Sequence, residues 1–195
     1  MNMKYYYVCV LFVIAFPAKA DDFKPEPGFR SLFNGQDLSG WRLGKVLLEG
    51  KTSSPDERFV VNNSVLEIKG ATGMKEIDTI REHNGDFILR LEFRASPLAN
   101  SGLHLRSHEF KHQLQIRDYP GAGPYKALKR YKPGDWNEIE VAVKADPNGE
   151  GAVAHCTCNG EVLEEALPIP AKGAIGLQSE TNLLEYRRIR IKDVP

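Results

Sequence analysis

A short part of the chain concentrates side chains that hold polyols and move protons. Glu92 and Arg94, His104 and Arg106, and Gln113, Gln115 and Arg117 each occupy alternate positions between apolar neighbours, and Asp118 follows directly. If the strands beginning near Asp86, Ser101 and Lys111 are neighbours, these residues share one sheet face. Amides and carboxylates bind hydroxyls, imidazole transfers protons near neutrality, and guanidinium steadies a developing oxyanion. The competing reading is a solvated outer face laced with ion pairs, since antiparallel sheets often turn one face to water. On that reading Arg94 and Arg187 pair with Glu92 and Glu185. His83, His108 and His112 are weaker candidates; His112 shares its parity with apolar Leu114. No Ser-His-Asp order, zincin motif or clustered His-Cys site is evident.

The elements that must position these groups are strands. Phe87, Leu89, Leu91 and Phe93 oppose Ile88, Arg90, Glu92 and Arg94; Leu103 and Leu105 oppose His104 and Arg106; Ile139, Val141 and Val143 oppose Glu138, Glu140 and Lys144. Period two marks half-buried strands. Near the C-terminus Leu184 and Tyr186 have one parity and Ile189 and Ile191 the other, which predicts a bulge near Arg187 or Arg188. Asn34-Gly35, Asn62-Asn63, Asn84-Gly85, Pro133-Gly134, Asn148-Gly149 and Asn159-Gly160 punctuate the chain as turns. Many short strands without a helical period imply an all-β sandwich or barrel.

The connection from Tyr119 to Lys132 is long, with tyrosines at 119, 125 and 131. It reads equally as a sugar-binding loop or as a surface loop pinned by its own rings. Trp41 and Trp136 read as core or turn packing.

Residues 1–20 have a positive start at Lys4, an apolar run from Tyr5 to Phe16 and small residues at Ala18 and Ala20, the layout of a cleaved export signal. The run is too short to span a bilayer, so no membrane span is expected after cleavage. Residues 21–28 form a polar leader with Pro25 and Pro27, and 29–195 suit one domain. The chain has 26 basic and 26 acidic residues, which leaves no electrostatic footprint for nucleic acid or anionic membrane. Cys156 and Cys158, two apart on a strand, point the same way; a bridge between them would be strained, so both are expected as small buried residues.

Phe33-Asn34-Gly35-Gln36-Asp37-Leu38-Ser39-Gly40-Trp41 resembles the opening signature of the 3-keto-disaccharide hydrolase family. The similarity continues through Asp86-Phe87, Leu91 to Arg94, Asn100 to Arg106, Gln115 and Asp118. It resumes at Gly134 to Asn137, Asn159-Gly160, Gly176 to Gln178 and Glu185 to Arg187. These pieces run in family order over nearly the whole of residues 29–194. The resemblance implies a concanavalin A-like jelly roll of two curved antiparallel sheets. It also implies cleavage of a 3-keto-glycoside: removal of the C2 proton, an enolate, and departure of the group at C1. The chain departs from the family pattern at Gln113, where relatives often carry Glu, at Tyr186 for Phe, and at Arg188 for Asn.

On that basis His104 is expected as general base and Arg106 at the enolate oxygen, with Glu92 or Asp118 orienting the base or protonating the leaving group. Arg94, Gln113, Gln115, Tyr125, Gln178 and Glu180 are expected to hold sugar hydroxyls. No cofactor is required; there is room for a divalent metal near Asp118 or Glu180, though no ligand spacing demands one. A noncatalytic carbohydrate-binding module of the same fold is the alternative. An ordinary two-carboxylate glycosidase ranks below both. The expected partner is a small carbohydrate.

Overall fold

The computed structural model describes residues 23–118, 125 and 128–195. The export signal and Tyr119 lie outside the described residues. The strands are β1 (Arg30–Ser31), β2 (Trp41–Leu43), β3 (Val46–Leu47), β4 (Phe59–Asn62), β5 (Val65–Lys69), β6 (Lys75–Thr79) and β7 (Phe87–Ala95). There follow β8 (Asn100–Leu105), β9 (Gln113–Arg117), β10 (Asn137–Ala145), β11 (Ala152–Cys158), β12 (Glu161–Ile169), β13 (Ile175–Ser179) and β14 (Leu183–Asp193). A 3-10 turn, Phe110–His112, leads into β9. Among the described residues no helix is long and apolar enough to cross a membrane.

The strands form two antiparallel sheets. The first has the order β12-β11-β10-β7-β14-β5-β4, with β1 pairing β14; the second has the order β3-β2-β6-β13-β8-β9. The apolar parity of each strand faces the other sheet. Leu89, Leu91, Phe93, Ile139 and Val141 from the first meet Trp41, Ile77, Leu103, Leu114, Ile116 and Leu177 from the second, all buried. Burying two facing apolar surfaces is what holds such a sandwich together. This is the concanavalin A-like jelly roll that the family resemblance implies, and one of the two all-β classes that the strand pattern allows.

Local chemistry sets the corners. The hairpin from β4 to β5 turns through Asn63 and Ser64, and that from β11 to β12 through Asn159 and Gly160, all with positive φ. The expected bulge is present: the β14–β7 register slips between Arg187 and Arg190, and Arg188 has φ of 52°.

One expectation is overturned. The three strands carrying the polar stripe are not all neighbours: β8 and β9 pair in the second sheet, as expected, but β7 pairs with β10 and β14 in the first. The stripe is therefore divided between the two outer faces of the sandwich. Alternation fixes which residues share a face of one strand but says nothing about which sheet that strand joins.

Candidate functional site

The outer face of the second sheet is built in cross-strand rows. One row runs Leu47, Arg42, Asp78, Gly176, His104, Gln113 across all six strands. The next contains the pairs Glu76–Gln178 and Gly102–Gln115. Two glycines make room in the middle. A Cβ on Gly102 would lie 2.0 Å from Gln113 Nε2, and one on Gly176 would lie 2.8 Å from Asp78 Oδ1. Gln113 can therefore lie flat over Gly102 and reach both neighbouring strands.

It reaches them as a donor. The Gln113 amide N–H groups point to His104 Nε2 at 3.1 Å and Gln178 Oε1 at 3.1 Å. His104 Nδ1 lies 3.1 Å from the Ser107 carbonyl, so the proton sits on Nδ1 and the Nε2 lone pair accepts from Gln113. Gln178 passes the chain on, its Nε2 donating to Met74 Sδ at 3.5 Å. His104 is 1% exposed, and burial lowers its pKa, opposed in part by Glu76 nearby. The imidazole is neutral and capped; it cannot take a proton from a ligand unless Gln113 moves.

His108 stands above it, the two rings edge to face with centroids 5.6 Å apart. Its side chain is 52% exposed. Nδ1 lies 2.9 Å from Glu76 Oε1 and Nε2 lies 2.9 Å from Asp78 Oδ1. Asp78 is buried, while Glu76 is partly open. Leu43, Gly44, Met74 and Lys75 complete a cleft of about 400 Å³ with these three residues. Among the described residues no group of three or more His, Cys, Asp or Glu side chains is arranged to hold a metal ion.

The other expected site residues lie elsewhere. Glu92 is on the outer face of the first sheet, bound by Arg187 at 2.7 Å and Arg188 at 3.0 Å. Arg94 grips Glu185 with two hydrogen bonds of 2.6 and 2.7 Å. Trp136 is stacked by Arg94 and Arg187 on that same face, while Trp41 is buried and donates to the Leu32 carbonyl. Arg94 and Arg187 are thus each ion-paired across strands with a glutamate, Arg94 with Glu185 and Arg187 with Glu92.

Arg106 is a correction. β8 ends at Leu105 and Arg106 has φ of 65°, so the alternation stops one residue early. Its buried guanidinium donates to the carbonyls of Gly85, Pro170 and Ala171 and lies over the Phe87 ring. It ties loops together at one end of the sandwich. Tyr125 is also corrected: it is fully buried, and its hydroxyl donates to the Gln115 carbonyl at 2.5 Å. Asp118 accepts from Tyr131 at 3.0 Å. The described part of the long connection is thus pinned by Tyr125 and Tyr131. Gln115 is half-buried on the second-sheet face, and Glu180 is half-buried just beyond β13.

Glu76 and Asp78 escaped the sequence analysis, and His108 ranked low in it. The signal existed: Glu76-Ile77-Asp78 alternates, placing two acids on one face opposite a buried Ile77. Their link to His108 is a contact of the folded chain and has no trace in sequence spacing.

The domain model described as 3-keto-alpha-glucoside-1,2-lyase-like matches residues 28–192. No curated protein matches the chain significantly in sequence. Among solved structures, one of a candidate glycosyl hydrolase from Parabacteroides distasonis is similar with a TM-score of 0.62 and 19% identity. That match covers 86% of this chain and 94% of the other. A second candidate glycosyl hydrolase from the same organism has a TM-score of 0.59 and 20% identity, covering 85% and 99%.

Proposed function

Because the chain belongs to the 3-keto-alpha-glucoside-1,2-lyase-like family, we propose that it cleaves the glycosidic bond of 3-keto-glucosides by elimination across C1 and C2. The observation that carries this is the His108 imidazole held between Glu76 and Asp78 at the edge of an open cleft.

A carbonyl at C3 acidifies the hydrogen at C2. Glu76, the partly open carboxylate, accepts that proton, and the electron pair forms the enolate. Arg42, cross-strand from Asp78 on the same face, is the cation in register to steady the enolate oxygen. As the C3 carbonyl reforms, a C1=C2 double bond appears and the C1–O bond breaks. The departing oxygen takes a proton from His108, whose other nitrogen is oriented by buried Asp78. The 2.9 Å hydrogen bond between Glu76 and His108 then returns the abstracted proton and resets the pair. Water adding across the double bond gives net hydrolysis. In this scheme His104, Gln113 and Gln178 form the supporting layer beneath the reacting groups.

The test is to incubate the protein with 3-keto-glucosides and their unoxidised parents and follow release of the leaving group. Release is expected from keto substrates alone. Glu76→Gln and His108→Ala should each lower kcat by about 10²-fold or more, typical for loss of general acid–base groups. Equal release from the parents would point instead to Glu76 and Asp78 as an ordinary glycosidase pair. Sugar binding without any release would favour the binding-module alternative.

The export pattern of residues 1–20 supports action outside the cytoplasm. N-terminal sequencing of the protein recovered from its host should begin at Asp21; a mature protein that retains Met1 to Ala20 would refute export by cleavage.

A further inference from the structure

The groups that move protons make up only part of the cleft's lining, and the rest of it has a different chemistry. Leu43, Gly44 and Met74 line it. Met74 is 52% exposed, although its sulfur already accepts the Gln178 amide. Lys75 also lines the cleft, but its ammonium is held by Asp56 at 2.8 Å. Beyond Arg42 in the cross-strand row, the edge strand β3 carries a further exposed apolar residue. There Leu47, 59% exposed, stands cross-strand from Arg42 in the same row as Asp78 and His104. Isolated exposed apolar residues are ordinary; an exposed methionine that lines a cleft together with a carboxylate–imidazole–carboxylate group is the pattern of a ligand site.

We propose that this apolar wall receives the leaving group, and that the substrate is a 3-keto-glucoside of a hydrophobic alcohol or phenol rather than of a second sugar. The inference rests on the proposed elimination, which requires a leaving group beside His108. A second sugar would present several hydroxyls to Leu43, which cannot hydrogen-bond them, and to Met74, whose sulfur is already engaged by the Gln178 amide. Hydroxyls stripped of water without partners oppose binding. An aliphatic or aromatic group would instead displace water from the exposed methionine and leucine side chains.

The test compares two 3-keto-glucosides whose leaving groups are primary alcohols of similar acidity: a cyclohexylmethyl glucoside and a 1→6-linked disaccharide. Wild-type kcat/KM should favour the cyclohexylmethyl substrate by about tenfold or more, the scale on which apolar pockets discriminate. In Met74→Gln and Leu47→Gln that preference ratio should fall, and leaving-group chemistry cancels in the comparison. A wild-type ratio near one, or a ratio unmoved by both substitutions, would overturn the apolar subsite while leaving the elimination standing. If neither substrate is cleaved, the elimination fails, and calorimetric binding of the unoxidised parents decides the subsite by itself. Tighter binding of the cyclohexylmethyl glucoside, weakened in Met74→Gln, would sustain it. Equal binding of the two parents would refute it.

Discussion

His104 and His108 are close in sequence and touch in space, yet their surroundings give them different chemistry. His104 is buried, hydrogen-bonded at both nitrogens and held neutral by burial. Its NMR titration should therefore lie below that of an ordinary histidine. In Gln113→Glu a carboxylate would face Nε2, and the His104 pKa should rise, because an opposite charge at contact distance favours the protonated ring. An unshifted His104 in both proteins would refute the capped arrangement. His83 offers a second test. It is 3% exposed, and burial pushes its pKa down to about 4, with Arg30 and Arg81 adding to the effect. Below the unfolded value of 6.5 the unfolded chain binds this proton and the folded chain does not. Stability should therefore fall as the pH drops from about 6.5 towards 4, by roughly 3 kcal/mol from this group. Urea midpoints at pH 7 and pH 4.5 should show a smaller loss in His83→Gln than in wild type. An identical slope would mean that His83 is charged in the fold. Glu26, held at about 2 chiefly by its hydrogen bond to Arg190, acts in a separate window: its contribution disappears as the pH falls below 4.5.

At the scale of elements, the second sheet makes its site by leaving side chains out. Gly102 and Gly176 sit on adjacent strands, β8 and β13, where a Cβ would strike Gln113 or Asp78. Both lie mid-strand, where glycine is otherwise unfavourable, and no positive φ is involved at either. Gly102→Ala should force Gln113 off His104 and cost about 1–3 kcal/mol, the usual scale for overpacking. It should also move the His104 titration towards the ordinary value. Urea unfolding and the imidazole resonance check the two parts; an unchanged resonance would show that Gln113 is not displaced. The first sheet follows the opposite strategy. Its outer face is closed by Arg94–Glu185 and Arg187–Glu92 pairs, and Arg190 clamps Glu26 of the leader.

At the scale of the whole molecule, stability comes from the interface between the two sheets, and there is no disulfide among the described residues. Cys156 and Cys158 are free, buried beside Ala154 on the core side of β11, and burial pushes both thiols up to about 12. Neither should react with a thiol reagent until the sandwich opens, since reaction requires the thiolate. Peptide mapping after mild labelling should find both unmodified in the native protein and both modified in urea. Reductant should leave the unfolding midpoint unchanged. Labelling of either thiol in the native state would show that β11 opens locally.

The all-β class, the turns at Asn63 and Asn159–Gly160, the bulge at Arg188 and the burial of both cysteines were legible in the chain itself. Each depends on interactions spanning only a few residues: alternation along a strand, or a backbone angle that Asn and Gly tolerate. The family resemblance was legible because short signatures keep their order. The partners of those strands were not. Glu92 and Arg94 have the same alternation as His104, yet long-range pairing sends β7 to one sheet and β8 to the other, so His104, Gln113, Gln115, Arg117 and Gln178 share the candidate face while Glu92 and Arg94 do not. Glu76, Asp78 and His108 meet through contacts between a strand and a distant loop, which no local pattern encodes. Tertiary structure alone decided which imidazole is buried and neutral and which is open between two carboxylates, because desolvation and hydrogen-bond partners exist only once the chain has packed.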